Sequence, residues 1–400
     1  MGPWLLLMAL GWLAAAPAGA EPPPIHGFVQ GHGAARVDGV DCPRPTACDR
    51  PYNEQRLQLK TEGATRGFGY GGKLEFINDV AVDDFDFDVR ELYADYDARD
   101  VTVRAGRQVI TWGVTDLLFI NDTFPKDWVA FFGGLPLEYL KRGSDALKLD
   151  YYGATADLEL VVADFRRDRL PDGRRFVPAP PAADVGDPGT PEVSLRLSRY
   201  FSSWNGALYL SRTHHRAPAL VPGGGRDAHR FPRLDAYGIS FSGPLGSGVL
   251  HVEAGLYRSP EDHAGDDPAV PNDETRVLVG YSRQIAEETT LGLQAYGEWM
   301  HDHGAYRRTL AAGRPARDQL RTVATLRLTR FLRHQTLRLG LFTFWSPSDG
   351  DAYFIPSVRY AFSDALWGEM GANLFTGDPR GRFGALRDND NLYLTLRYAF

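Results

Sequence analysis

Histidines beside carboxylates are the groups in this sequence best suited to metal or acid–base chemistry. His301, Asp302 and His303 follow one another, and Glu298 lies three residues before them. Imidazole and carboxylate are ligands that zinc accepts, so this cluster could bind a metal weakly. Its residues read as a loop, however, which does not hold ligands in a fixed tetrahedral arrangement. We therefore predict no metal site and no cofactor.

Catalytic motifs are missing from the rest of the sequence. It contains no Gly-x-Ser-x-Gly elbow, no phosphate-binding Gly-rich loop and no His-Glu-x-x-His pair. A hydrolytic site needs a nucleophile or an activated water beside an oriented base. The sequence therefore predicts a protein that is not an enzyme.

The first twenty residues have the pattern of a secretory signal peptide. An apolar run from Trp4 to Ala16 is followed by Ala18-Gly19-Ala20, with cleavage expected before Glu21. Only the α-amino group supplies positive charge ahead of the apolar run. The prediction is a signal peptide over residues 1–20 and an exported mature chain over residues 21–400.

The two cysteines lie close together in Cys42-Pro-Arg-Pro-Thr-Ala-Cys48. Thiols of exported proteins are usually oxidised, so the spacing favours a disulfide between Cys42 and Cys48 that closes a local loop. A metal site is the alternative, but no further ligands stand beside the pair.

Charged residues recur at alternate positions of short segments, and their signs are grouped along the chain. A basic group from the late segments and an acidic group from the middle ones would create a field that orients charged solutes. Local ion pairing is the alternative. The predicted lining residues are Arg104, Glu91, Asp95, Asp150, Asp157, Glu159, Arg321, Arg327, Arg338, Arg359 and Arg397, with Lys60, Lys73, Glu253 and Glu298 on the same faces.

The segments that must position these charges read as β-strands. In the last ten residues Leu392, Leu394, Leu396, Tyr398 and Phe400 alternate with polar residues, which gives a strand one apolar and one polar face. Segments of this kind recur about 16 to 18 times, with 18 favoured, and each has the roughly ten residues of a tilted membrane strand. The predicted fold is all-β, a transmembrane antiparallel up-and-down β-barrel.

Connections between the segments alternate between short and long. Gly63 to Thr65 and Pro244 to Gly246 are short, whereas Trp112 to Gly143 and Arg167 to Thr190 are long. Short turns at one end and long loops at the other are typical of outer-membrane barrels, and an even strand number places both termini in the periplasm. The proline-rich stretch Arg167 to Thr190 and the glycines of Val221 to Arg226 predict exposed external loops.

Composition limits the partners. The net charge of -7 argues against nucleic acid, and the mean hydropathy of -0.31 suits a barrel whose lumen and loops are polar. After the signal peptide no apolar run approaches the ~18 residues of a membrane helix, so any insertion must use strands.

The long connection at residues 112–143 is too apolar to lie in water. Its aromatics would be an aggregation liability if exposed, so we expect it to fold into the barrel or to pack on the rim. Inside the barrel it would narrow the passage. The residues predicted for this constriction are Trp112, Asp116, Asp122, Lys126, Asp127 and Trp128.

Two short patterns resemble known membrane barrels. The strand residues Gly106-Arg107-Gln108 followed by Trp112-Gly113 resemble the porin and alginate-export type, and the terminal Phe400 is similar to the closing residue of Gram-negative outer-membrane barrels. The resemblance implies an outer-membrane location, surrounding lipid and insertion by the barrel assembly machinery. Alginate-export lumens are strongly basic, whereas acidic residues interrupt the basic ones here.

Together these patterns predict a porin-like channel for passive passage of hydrophilic solutes, with saccharides or organic ions as candidates. A non-conducting adhesion or structural barrel and a polysaccharide export channel are the alternatives. The oligomeric state and the direction of flow stay open.

Overall fold

The computed structural model describes residues 23–37, 49–177, 185–220, 229–310 and 316–400. Within them, eighteen strands form one antiparallel sheet in which each strand pairs with its neighbour in the chain. The last strand also pairs with the first, so the sheet closes into a barrel. The predicted signal peptide, Cys42, Cys48 and the glycines of Val221 to Arg226 lie outside the described residues.

The barrel strands are numbered in chain order. They are β1 Ile25–Arg36, β2 Tyr52–Thr65, β3 Phe68–Asp79, β4 Asp84–Ala98, β5 Val101–Gln108, β6 Ser144–Tyr152, β7 Asp157–Ala163, β8 Glu192–Phe201, β9 Trp204–His214, β10 Arg233–Leu245, β11 Gly248–Arg258, β12 Glu274–Ala286, β13 Thr289–Met300, β14 Leu320–Leu332, β15 Leu337–Ser346, β16 Asp351–Ala361, β17 Leu366–Gly377 and β18 Asn391–Ala399.

The helices of the described residues are short and lie in the connections. They are α1 Trp128–Phe132, α2 His303–Thr309 and two 3-10 turns, Leu137–Leu140 and Gly384–Asn389. None of the helices in the described part of the chain is long and apolar enough to cross a membrane. A two-residue ladder pairs Ala219–Leu220 with His229–Arg230 outside the barrel sheet.

Closure uses the C-terminal strand as the sequence pattern predicts. β18 pairs with β17 on one side and with β1 on the other, from Arg36 opposite Asn391 to Phe28 opposite Ala399. Gly27 and Phe400 then exchange two backbone hydrogen bonds of 2.9 Å. The prediction of an antiparallel barrel with 18 strands is confirmed.

Alternation gives the barrel strands an outward apolar face and an inward face that carries the polar residues. In β13, Leu293 and Trp299 are 50% and 46% exposed on the outside, while Tyr296 and Glu298 are buried inside. A period of two places alternate side chains on opposite faces of a sheet. The chain thus has an apolar outer surface around a charged interior, which we call the lumen.

Register shifts interrupt the alternation in β4 and, near its end, in β12. The pairing of β4 with β3 shifts between Lys73 and Leu74, where Arg90 is the extra residue. A bulge of this kind exchanges the two faces of a strand. Asp88 before it and Glu91 after it therefore both point inward, which a strict period of two does not allow.

The two ends of the barrel differ in the length of their connections. Arg66 and Gly67 form a tight turn between β2 and β3, and both have positive φ, 48° and 83°. β3 therefore begins at Phe68. The other end carries the long connections, including residues 109–143 and residues 164–191.

Candidate functional site

The connection between β5 and β6, residues 109–143, folds into the lumen, and we call it the inner loop. Its helix α1 packs against strands on the far side of the barrel. Phe131 lies 5.8 Å from Tyr353 and Phe132 lies 5.7 Å from Phe375, measured between ring centroids. All four rings are buried, so the inner wall shields the apolar side chains of the loop from water.

Local sequence explains why a helix forms at this position. The Asp127 side chain accepts a 2.8 Å hydrogen bond from the Ala130 amide, which caps the first turn. Gly133 ends the helix, and a Cβ there would overlap the Tyr52 ring. The Tyr52 hydroxyl in turn donates a 2.7 Å hydrogen bond to the Val129 carbonyl, which fixes α1 against β2.

The first part of the inner loop is held by a single buried carboxylate. Glu253 of β11 accepts hydrogen bonds from the Val114 amide at 2.6 Å, the Thr115 hydroxyl at 3.0 Å and the Asn121 side chain at 2.9 Å. It is 1% exposed. Because hydrogen bonds to an ionised carboxylate are roughly twice as strong as neutral ones, this contact is a principal anchor of the segment.

Two lysines share one aspartate in the middle of the inner loop. Asp122 pairs with Lys126 at 3.3 Å and with Lys141 through its other oxygen. Both ammonium groups lie over the Phe119 ring, at 4.5 and 4.3 Å from its centroid. Burial lowers the pKa of Lys141, so the shared Asp122 carboxylate is what keeps the ammonium form favourable.

Other predicted loop residues hold the loop ends. Trp112 is buried against Phe124 and Tyr209, with ring centroids 5.1 and 5.8 Å away, and its indole donates to Glu159 at 3.3 Å. Asp116 reaches Arg327 of β14 at 2.8 Å. The inner loop therefore spans the lumen from β5 to the opposite wall.

A second connection also enters the barrel, contrary to the prediction that Arg167 to Thr190 is an exposed external loop. In residues 164–177, which we call the second loop, Phe176 is 2% exposed and Arg175 bonds to Asp79 of β3 at 2.6 Å. Pro171 lies within the second loop, and the other prolines of the stretch begin at Pro178, after it. Composition averaged over the whole connection hid the difference.

The two loops are joined to each other. The Asp168 carboxylate accepts from the Lys126 amide and from the Trp128 indole, each at 2.8 Å. Arg169 pairs with Asp127 at 3.2 Å. The loops thus form one body inside the barrel.

Most of the predicted lining charges meet an opposite charge nearby. The pairs are Arg104 with Asp95, Lys73 with Glu91, Lys148 with Asp150 and Glu159, Arg321 with Asp349, Arg327 with Asp116, Arg338 with Glu369 and Arg397 with Glu138. Among the described residues Asp157 and Arg359 have no ion pair, and Arg359 stacks on Trp367 at 3.6 Å. A field across the lumen therefore stays a prediction.

Three acidic residues of the lumen were missed. Asp84, Asp86 and Asp88 line a cavity of about 320 Å³ between β2 to β4 and the two loops. They have no ion pair among the described residues. Their alternation with Phe85 and Phe87 was the signal in the sequence that could have found them.

Arginines stand on the other side of this cavity. Arg142 and Arg166 donate to backbone carbonyls, at 2.7 Å to Arg167 and at 2.6 Å to Gly143. Burial, then the charges of Arg142 and Arg107, lower the pKa of Arg166 to about 10. The cavity thus combines carboxylates and guanidinium groups, and both kinds come from the wall and from the loops: Arg56 and Arg90 lie on strands, and Asp127 lies on the inner loop.

A larger cavity of about 640 Å³ lies on the opposite side of the inner loop. Its walls combine apolar loop residues such as Leu117 and Leu118 with arginines such as Arg276 and Arg382. Arg276 stacks on the Tyr257 ring at 3.8 Å. The interior therefore retains space for solute on both sides of the inner loop.

The histidine cluster is used for local structure. His301 shares a 2.8 Å hydrogen bond with Thr275, and His303 at the start of α2 shares one of 2.8 Å with the Arg317 carbonyl. Within the described ranges, no three His, Cys, Asp or Glu side chains are grouped so that they could hold a metal ion.

Comparison with solved structures shows proteins with a similar fold. Acinetobacter baumannii OccAB3 has 12% sequence identity and a TM-score of 0.60, over 94% of this chain and 98% of that one. Pseudomonas aeruginosa OccK5 (OpdH) has 12% identity and a TM-score of 0.58, over 94% and 97%. The chain has the fold of an outer-membrane porin-type barrel.

A third porin-type barrel is equally similar. Pseudomonas aeruginosa OccD3 (OpdP) has 11% identity and a TM-score of 0.57, with 97% of each chain covered. No family profile matches the sequence, and no curated protein is similar to it in sequence. The porin part of the expected resemblance is confirmed for the fold, and nothing supports the alginate-export detail.

Proposed function

We propose that this porin-type barrel is a channel for the passive passage of small hydrophilic solutes across the outer membrane of a Gram-negative bacterium. The observation that carries the proposal is the combination of an apolar outer face with a charged lumen that retains cavities of about 320 and 640 Å³ beside the inner loop. An aqueous, charge-lined interior is what a diffusing polar solute requires.

The outer surface supports a membrane location. Leu392, Leu394, Leu396 and Tyr398 are between 50% and 60% exposed on the outside of β18, next to exposed Val29 of β1. Such a surface is unfavourable in water and favourable in hydrocarbon. Outer-membrane lipid is the proposed surrounding partner, and the barrel assembly machinery is the proposed route of insertion.

The orientation follows from the ends of the barrel. β1 begins and β18 ends on the side of the short turns, where Gly27 meets Phe400. Short turns face the periplasm in barrels of this class. We therefore place both termini in the periplasm and the long connections at the cell surface.

Within the channel we assign the constriction to the inner loop. Trp112, Asp116, Asp122, Lys126, Asp127 and Trp128 belong to a segment with contacts on opposite walls, so a solute must pass beside it. The lining charges are proposed to order water and to select among solutes by charge. We propose no catalytic role.

Single-channel current of the refolded protein in a planar bilayer tests the function. We expect steady, ion-selective conductance, and larger conductance after deletion of Thr115 to Arg142. A matched control changes the exposed pair Arg212 and Asp235 on the outside of β9 and β10 to Ala, which leaves the lumen intact.

The outcome separates the candidate functions. A bilayer that stays closed with both the full-length and the deleted protein contradicts the channel and favours a non-conducting adhesion or structural barrel. Conductance that is blocked by added polysaccharide, but not by small saccharides, would favour the polysaccharide export channel instead.

A further inference from the structure

The inner loop has two parts that are attached very differently. Residues 124–141 include α1. They contact the second loop, and α1 packs against strands on the far side of the barrel. Residues 113–121 reach the wall mainly at β10 and β11, through Glu253 and its neighbours. The attachment of this first part can therefore break while the second part stays in place.

The wall at this point has a depression made by two glycines. Gly238 of β10 and Gly255 of β11 are paired directly across the two strands. A Cβ at Gly238 would overlap the side-chain oxygen of Asn121, and one at Gly255 would lie 2.7 Å from Ile120 Cγ2. Only glycine at both positions leaves room for Ile120 and Asn121, so we call this pair the glycine notch.

Polar contacts close around the inserted residues. The Asn121 amide donates to the Ile239 carbonyl at 3.0 Å and to Glu253 at 2.9 Å. The Tyr257 hydroxyl donates to the Ile120 carbonyl at 2.5 Å. Ile120 is 1% exposed, so the notch is filled without a gap.

We infer that Glu253 and the glycine notch form a latch that holds residues 113–121 across the lumen, and that release of the latch widens the passage. This inference rests on the proposed channel function. Glu253 is a positioning residue in it, because it acts on solutes through the loop and not by contact.

The geometry provides a way for the segment to move. Gly113 has a φ of 90° and Leu117 a φ of 54°, so the backbone turns sharply on either side of Val114 and Thr115, the first two residues that contact Glu253. Two further ties reach other strands. The side chains of Asp116 and Arg327, each about half exposed, form an ion pair, and the Gln294 side-chain amide of β13 lies 2.9 Å from the backbone N and O of Asp116. Exposed ion pairs contribute little, so Glu253 and the glycine notch supply most of the buried contacts of this part with the wall.

Two substitutions test the latch with single-channel recording. Glu253→Gln keeps the side-chain shape but offers one acceptor oxygen in place of two, and Gly255→Ala places a methyl group against Ile120. We expect both to raise conductance. Gly292→Ala is the matched control, because this lumen-facing glycine has room for a Cβ, whose nearest neighbour would be 3.7 Å away.

An engineered disulfide tests the same contact by fixing the loop to the wall instead of releasing it. The paired substitutions Asn121→Cys and Gly238→Cys place thiols where the two residues now touch. We expect low conductance after oxidation and a rise after reduction, with no change when the unsubstituted protein is reduced. Equal conductance of the oxidised and reduced forms would contradict the latch.

A labelling measurement keeps the inference separate from the channel function. In Leu118→Cys protein, a membrane-impermeant maleimide should react faster when Glu253→Gln is also present, whether or not the barrel conducts. Equal rates, with both proteins folded, would overturn the latch. A closed bilayer with faster labelling would overturn the channel and leave the latch standing.

Discussion

Asp127 and Arg169 join the two inward connections of this barrel. Arg169 Nη1 lies 3.2 Å from Asp127 Oδ2, and the two backbones form an isolated parallel β-bridge. Asp127 also caps α1, so one carboxylate orders the helix of the inner loop and receives the second loop. The interior of the barrel is thus organised by contacts between loops as much as by contacts with the wall.

The first prediction concerns this junction. Asp168→Ala removes the acceptor of both the Lys126 amide and the Trp128 indole, so the second loop should detach. We expect faster proteolytic cleavage within residues 164–177 of the folded barrel, detected by mass spectrometry. Asp235→Ala is the control, because its carboxylate pairs with Arg212 on the outside of the barrel. Equal cleavage of the two variants would show that Asp168 does not hold the loop.

The second prediction concerns stability. Phe132→Ala empties a space enclosed by the rings of Tyr353 and Phe375. Large-to-small changes of this kind cost about 3 to 5 kcal/mol in the free energy of unfolding. Urea unfolding in detergent measures the loss. Phe87→Ala, at a ring that is 49% exposed on the outside, should cost much less, and a similar cost for both would argue against a packed interior.

The third prediction concerns the two faces of the sheet. Leu394→Arg places a charge on the outward face at a residue that is 60% exposed. In a bilayer the cost is about 2 to 4 kcal/mol near the midplane. Ser357→Arg on the lumen face of β16 is the control and should be tolerated. Folding yield into lipid vesicles compares them, and equal yields would contradict the assignment of the outer face to lipid.

The fourth prediction concerns charge selection in the smaller cavity. Changing Asp84, Asp86 and Asp88 together to Asn removes three carboxylates that have no ion pair in the described part of the chain. The reversal potential in a salt gradient should shift toward anion selectivity. Asp235→Asn on the outer surface should leave it unchanged. An unaltered potential in the triple variant would show that solutes do not pass this cavity.

The fifth prediction concerns pH. Burial lowers the pKa of His215 from 6.5 to about 3, and the ring shares a 3.2 Å hydrogen bond with the Ser259 hydroxyl. The unfolded chain takes up a proton below pH 6.5, whereas the folded protein does so only near pH 3. The free energy of unfolding should therefore fall as the pH drops between these values.

His215→Asn tests this pH dependence. Asparagine can retain a hydrogen bond to Ser259 and does not titrate, so this variant should lose part of the decrease in unfolding free energy between about pH 7 and pH 4. Urea unfolding of both proteins at several pH values gives the comparison. Parallel pH profiles would mean that His215 is not kept neutral by the fold.

The strands were predictable from sequence because apolar residues are favoured on the outer face and polar residues on the inner face, at alternate positions of each strand. Leu392, Leu394 and Leu396 carry this signal clearly, and they lie on the outer face as expected. The bulge at Arg90 was not predictable, since it depends on pairing with β3. Pairing partners are set by closure of the whole sheet and not by local pattern.

The interior of the site was less predictable. The aromatic residues around Phe131 indicated that the inner loop must be buried, but no sequence pattern showed against which strands it packs. Glu253 was expected only as a lining charge, yet it binds three residues of the inner loop. Contacts between residues more than a hundred positions apart leave no local period in the sequence.

The seam between β1 and β18 has a consequence for assembly. His32 of β1 contacts both Thr395 of β18 at 2.8 Å and the Gly133 carbonyl of the inner loop at 3.1 Å. The pairing of the first and last strands joins the parts of the chain that are farthest apart in sequence, and it carries the largest loop-closure cost. Since the same histidine contacts the inner loop, one side chain links the closure of the sheet to the position of the loop inside it, and we expect a change at His32 to weaken both.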